Sequence, residues 1–140
     1  MLGEDIMRNM SFALTIDQIL AGTKTVTRRL GWLWLIGKTG VLIQPVRKNM
    51  GLKKGEHVLK LRDPIMVVNA RREPLRWMED DTVYGYTECA KEGFGWHPDY
   101  KHPSAFINMF CATHKGCTPE TEITRIEFVY DYEEVKLPMK

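Results

Sequence analysis

The chain has 140 residues, 44% of them hydrophobic and 27% charged, a balance that fits one globular domain with a core large enough to need no disulfide or metal staple. No apolar run reaches the roughly 18–20 residues of a membrane span; the greasiest stretch, residues 32–36, is far shorter. The net charge of +2 is unevenly spread: between Gly22 and Arg62 ten basic residues face one acidic residue, Glu56, which suits a polyanionic ligand.

Residues 1–8 lack the basic start and apolar stretch of a secretory signal. Met10-Ser11-Phe12 has the look of a second start, so residues 1–9 are expected to form an N-terminal extension, residues 10–132 the domain and residues 133–140 a tail. Three cysteines, an odd number, point to a reducing compartment, the cytoplasm.

In chain order, Phe12, Leu14 and Ile16 alternate with smaller or polar residues and predict a short strand over residues 11–15. Thr15 or Asp17 is expected to cap a brief helix through Ala21, ended by Gly22. The β-branched run over residues 25–29 predicts a strand, as do residues 40–46 and 56–61, with the glycine-punctuated loop Gly51-Leu52-Lys53-Lys54-Gly55 between them. Residues 65–70 predict another strand. Pro74 would open a helical turn, and Asp80-Asp81 would cap a helix to about Glu92, with Val83, Tyr86, Ala90 and Phe94 facing the core. Pro103 or Ser104 starts a further helix that buries Phe106, Met109 and Phe110 and stops at Gly116. Residues 122–130 alternate as a final strand, with Ile123, Arg125, Glu127 and Val129 on one face and Thr124, Ile126, Phe128 and Tyr130 on the other. Five or six strands and three or four short helices predict an α+β domain, most simply a small barrel flanked by helices.

The segment from Gly22 to Arg29 concentrates potential chemistry. As a strand it would place Thr25, Thr27 and Arg29 on one face and Val26 and Arg28 on the other. Lys24, on the turn before it, would fold its ammonium over Thr27. A lysine acts as a base only when burial or a neighbouring cation lowers its pKa, and Arg28 or Arg29 would be that cation. Arginines also clamp phosphate or carboxylate. The alternative is a solvated strand with no site.

Gly22, Lys24, Thr27 and Arg29, behind the short helix of residues 17–21, resemble the glycine–x–lysine–x–x–threonine–x–arginine motif of the ASCH family. The likeness extends from Met10 to about Tyr130, through residues 51–72, Ala90-Lys91-Glu92-Gly93-Phe94 and the closing strand at residues 124–128. It implies a PUA-like β-barrel that binds RNA or a nucleoside-like molecule; no cofactor is expected, and the sequence leaves monomer and dimer open. Some family members are amidohydrolases acting on N4-acetylcytidine. That resemblance implies Lys24 as base, Thr27 as nucleophile or water-orienting hydroxyl and Glu92 as proton shuttle, with Arg29 or a backbone N–H near Thr25 stabilising the oxyanion. Others are ribonucleases. Gly22, Thr25, Arg28, Arg29, Trp32, Lys53 and Lys54 are the expected ligand-binding set. The chain departs from the compact amidohydrolases in its residues 32–41, its Lys53-Lys54 loop and its helix around residues 106–114. Glu92 also falls opposite the expected buried face of its helix, where a solvated glutamate is the ordinary outcome.

Other features compete. Cys111, His114 and Cys117 suggest zinc, but lack a fourth ligand at any familiar spacing, and a Cys111–Cys117 disulfide suits an oxidising compartment only. Trp32 and Trp34, beside the basic strand, are the aromatics best placed to stack on bases; with Trp77 they could equally anchor a protein partner. Residues 97–102 read as a surface loop able to act as a lid.

Overall fold

The structure, a computed structural model, describes residues 7–132. It is α+β: five strands, β1 (Arg8–Ser11), β2 (Val26–Arg29), β3 (Leu42–Val46), β4 (Ile65–Pro74) and β5 (Glu122–Val129), form one mixed sheet in the order β1-β3-β4-β5-β2. Only β1 and β3 run parallel, with Ser11 opposite Val46. Four helices accompany them, α1 (Ile16–Ala21), α2 (Trp77–Asp80), α3 (Thr82–Cys89) and α4 (Pro103–Ala112). No helix among the described residues is long and apolar enough to cross a membrane.

The sheet is open, with no ladder closing it into the small barrel expected from the sequence. Its edges, β1 and β2, share no ladder; the Arg29 guanidinium links them by donating to the Ser11 carbonyl at 2.7 Å. The strand expected at residues 56–61 shrinks to one bridge, Val46 to Lys60. Its partner segment contains Pro45, which has no N–H to extend a ladder. The first strand also lies earlier than predicted, at Arg8–Ser11, so pairing begins inside the stretch read as an extension.

Helix α1 ends as expected, with Gly22 left-handed at φ 76°. Thr15 precedes it, yet neither its side chain nor that of Asp17 caps the helix; the Thr15 backbone carbonyl instead accepts from Ile19 N–H. In α3, Asp81 does cap, accepting from Tyr84 N–H at 3.1 Å.

Of the face predicted to be buried in this segment, only Phe94 is. Val83 is 77% exposed and Tyr86 and Ala90 are exposed, whereas Gly85, Glu88 and Cys89 are buried. Gly85 fixes this rotation: a Cβ there would lie 1.9 Å from the Met78 carbonyl oxygen, so only glycine lets α3 pack this closely on α2. Helix α4 buries Phe106, Ile107 and Phe110 on one stripe, with Met109 at its margin, and ends at Ala112, before Gly116.

The core is divided by the sheet. One cluster holds Phe12, Ile19, Leu35, Ile43, Ile126 and Phe128 among others; a second holds Leu75, Met78, Phe106, Phe110 and Ile123 beneath the helices. A bulge between Val67 and Asn69 lets Val67 and Ala70, three apart, both enter the first cluster. It thereby turns Arg71, Glu73 and Leu75 towards the helices, where Ile123 and Arg125 of β5 also lie, so β5 is buried on both faces.

Candidate functional site

Strand β2 is paired on one side only, with Arg28 opposite Arg125 and Thr27 opposite Ile126. The strand alternation therefore sends Arg28 to the helix side of the sheet and Thr27 and Arg29 to the side of the first cluster, as predicted. At the free edge of β2 the two sets curl round one cavity of about 180 Å³. Lys24, Thr27, Arg28, Arg29 and Glu92 all line it, under a roof of loop residues 11–15 and apolar side chains of α4.

Glu92 is buried, not solvated, at 3% exposure. The reason lies after α3, where residues Ala90–Phe94 widen into a π-type turn broken by Gly93 at φ 99°. That turn re-aims residue 92 away from the exposed helix face. The Thr25 N–H donates to the Lys91 carbonyl at 2.8 Å and pins the turn beside β2. A Cβ at Gly93 would meet the Gln18 side chain at 3.1 Å and Lys24 Cβ at 3.4 Å, so glycine is needed for both conformation and space.

Lys24 Nζ donates to the Glu92 carbonyl at 2.6 Å and to its Oε1 at 2.9 Å. Burial pushes the Lys24 pKa below its ordinary value; Glu92 opposes that shift, while Arg29 and Arg28 add to it. No hydrogen bond joins Lys24 to Thr27 among the described side chains, so the fold of the ammonium over Thr27 is replaced by the Glu92 pair. Thr27 Oγ1 accepts instead from Arg29 Nε at 3.1 Å. Arg29 lies over the Phe12 ring at 4.9 Å, and burial, opposed by Glu92, draws its pKa down to about 10, leaving it charged at neutral pH.

Behind this pair runs a charged layer that the motif gives no hint of. Arg28 donates to Glu92 Oε2 at 3.2 Å, Glu73 Oε2 at 2.8 Å and Glu88 Oε1 at 2.6 Å. Arg125 grips both oxygens of Glu88, at 2.6 and 2.9 Å. The Tyr84 hydroxyl donates to Glu73. Burial works against the Arg28 charge, but the three carboxylates outweigh it and raise its pKa. Burial would lift Glu88, yet the Arg125 and Arg28 guanidiniums hold it down, at about 2. Arg28 Nε alone among the described buried side-chain nitrogen and oxygen atoms has no hydrogen-bond partner. The available signal for these residues was charge inside strands: Glu73 at the end of β4 and Arg125 between Thr124 and Ile126 of β5.

The remaining expected binding residues divide. Gly22 and Thr25 shape the turn and are absent from the cavity wall; a Cβ on Gly22 would touch Arg62 and Tyr130. Trp32 lies beyond Arg29, lining adjoining depressions. Lys53 and Lys54 are exposed on their loop and line none of these hollows. The proposed lid is packed onto itself, His97 stacking on Tyr100 at 4.3 Å while its Nδ1 accepts from two backbone N–H groups. Cys111 and Cys117 sulfurs lie 3.4 Å apart, and His114 stacks on Phe110. Among the described residues no three His, Cys, Asp or Glu side chains are grouped to hold a metal.

Comparisons with family models, curated proteins and solved structures find no match to this chain.

Proposed function

We propose that this chain is an ASCH-type, PUA-like domain acting in the cytoplasm, and that its β2-edge cavity takes the base of a nucleoside-like or RNA ligand and hydrolyses an acyl amide on it. The observation that supports the reading is convergence: Lys24, Thr27, Arg29 and Glu92, from the turn, the strand and the end of the α3 segment, line one cavity. Its volume of about 180 Å³ is close to the roughly 150 Å³ of a cavity that accepts benzene, which suits a single aromatic ring.

The chemistry follows from the donors. A neutral Lys24 takes the proton of the Thr27 hydroxyl or of a water it orients, as the oxygen bonds to the acyl carbon. Arg29, donating to Thr27 Oγ1, favours the developing negative charge on that oxygen. The C–N bond then breaks, and the proton held between Lys24 and Glu92 passes to the leaving amine. If Thr27 has been acylated, water releases it as the carboxylate. General-base assistance of this kind contributes about 10²–10⁴-fold.

A second reading, binding without turnover, is favoured by the 2.9 Å ion pair of Lys24 with Glu92, which stabilises the charged ammonium. Chromatography of N4-acetylcytidine incubated with the protein separates the two. Hydrolysis predicts cytidine and acetate, lost by at least about 100-fold in Lys24→Ala and Thr27→Ala, with circular dichroism unchanged. It also predicts turnover that rises with pH as Lys24 loses its proton. Saturable binding with no cytidine at high protein concentration rejects hydrolysis of that substrate, and absence of both rejects the proposal.

A further inference from the structure

We infer that the cavity is one end of a longer groove that holds a single-stranded nucleic acid, with phosphates on Arg29, Arg47 and Lys48 and a base against the Trp32–Trp34 pair. This inference rests on the nucleoside-like reading of the cavity, and concerns what lies attached to that nucleoside. A hollow of about 180 Å³ encloses a ring but not a sugar and phosphate as well, so the rest of the ligand leaves by the mouth.

At the mouth the structure continues. A second depression of about 310 Å³ shares Ser11, Ala13 and Arg29 with the cavity. A third, of about 440 Å³, shares Asn9, Trp32 and Asn49 with the second. The topology causes this alignment. Strands β1 and β3 are parallel and finish side by side at Ser11 and Val46, so the residues that follow each, Ala13 on one and Arg47 and Lys48 on the other, emerge at the same edge. Arg29, tied to the Ser11 carbonyl, marks the junction with the cavity.

The chemistry along this path is one-sided. Arg29, Arg47 and Lys48 line the second depression with no carboxylate among its lining residues; among the described residues Glu56 pairs with Lys48, 3.8 Å from its Nζ. Trp32 lines both outer depressions and packs on Trp34, centroids 5.9 Å apart. Trp32 is also the sole non-glycine residue with positive φ among those described, at 61°. A left-handed residue with a side chain costs about 1–2 kcal/mol, and such strain collects where presentation of a side chain matters. Here it presents an indole between two depressions. Cationic side chains that follow a backbone, interleaved with aromatic stacking surfaces, are the recognition chemistry of a single strand.

Fluorescence anisotropy on the full chain, with single-stranded oligoribonucleotides of one to ten nucleotides at several salt concentrations, tests this. Affinity should climb with length over the first few nucleotides. The double variant Arg47→Ala/Lys48→Ala should flatten the log affinity against log salt slope by about 0.7 for each phosphate it no longer neutralises. Trp34→Ala, at an exposed position that leaves the strained turn intact, should weaken the longer oligomers about 5-fold or more and leave mononucleoside binding unchanged. Lys53→Ala/Lys54→Ala, outside the groove, should match wild type. Mononucleoside binding with no gain on lengthening overturns the groove and leaves the cavity reading standing. Length-dependent binding that survives Lys24→Ala while falling in the groove variants supports the groove and removes the cavity reading. Length-dependent binding untouched by the groove variants overturns the groove. No binding to any oligomer at low salt also overturns it, and an acidic protein partner then becomes the occupant to seek.

Discussion

The two faces of the sheet solve burial differently. On one side Phe12, Ile126 and Phe128 close an apolar cluster in which each side chain contributes through area removed from water, about 25 cal/mol per Å². On the other, between β2, β4, β5 and α3, lie Arg28, Glu73, Glu88 and Arg125, all at 3% exposure or less. Removing such charges from water costs several kcal/mol per ion, a cost that only close pairing and hydrogen bonding of this kind offsets. A hydrophobic layer would serve stability as well, so the charged layer is better understood as a positioning device. It holds Arg28, and Arg28 with Lys24 holds the Glu92 carboxylate. The helix face has an apolar cluster of its own; what the charged layer adds there is a fixed Glu92 for the site.

Substitutions on the two faces should break this contrast in different ways. Phe128→Ala, at a fully buried position, should cost about 4 kcal/mol in urea unfolding while the surviving folded protein keeps its site. Glu88→Gln should cost about 3 kcal/mol, because two buried guanidiniums lose their shared carboxylate, and it should also weaken ligand binding through Arg28 and Glu92. Equal loss of stability with undisturbed ligand affinity in both variants would remove the distinction.

Acid sharpens it. Glu88 titrates near 2 when folded against an ordinary 4.5, so between these values the unfolded chain binds more protons and stability rises with pH. Its contribution is complete above about pH 4.5 and disappears as pH falls towards 2. Urea midpoints across that range should drop more steeply for wild type than for Glu88→Gln. Parallel slopes would show that Glu88 does not carry the acid sensitivity.

Gly93→Ala should have a smaller effect on stability, about 1–2 kcal/mol for a side chain at φ 99°, yet a larger one on the cavity, since the turn aims Glu92. Unaltered nucleoside affinity would show that the turn tolerates the change. At the low end, Arg76→Ala removes ion pairs with Asp80 and Glu120 whose side chains are 42–73% exposed. It should shift the unfolding free energy by less than about 0.5 kcal/mol. A larger loss would mean that surface charge matters here as much as the buried layer.

Much of the local structure was legible in the chain. The apolar and β-branched runs placed β2, β3, β5 and α4, and glycine marked the end of α1 at Gly22, because these signals act over a few residues. The alternation of Thr27 and Arg29 against Arg28 was legible for the same reason. The α3 face was not, since helical periodicity cannot register a carboxylate buried between two arginines, nor a glycine chosen for the approach of α2. The length of β4 was hidden by its bulge, which shifts the alternation midway and turns Glu73 inward.

What the sequence by itself determined was an α+β chain with a compact cluster of lysine, threonine and arginine behind a glycine turn, because strand alternation and turn chemistry are local. That Glu92 joins Lys24 was decided by tertiary structure alone. The two residues are 68 positions apart, and the contact depends on β2 lying at the sheet edge and on the Gly93 turn folding back against it. The same holds for the line from Arg29 to Arg47 and Trp32, which exists only because two parallel strands end together.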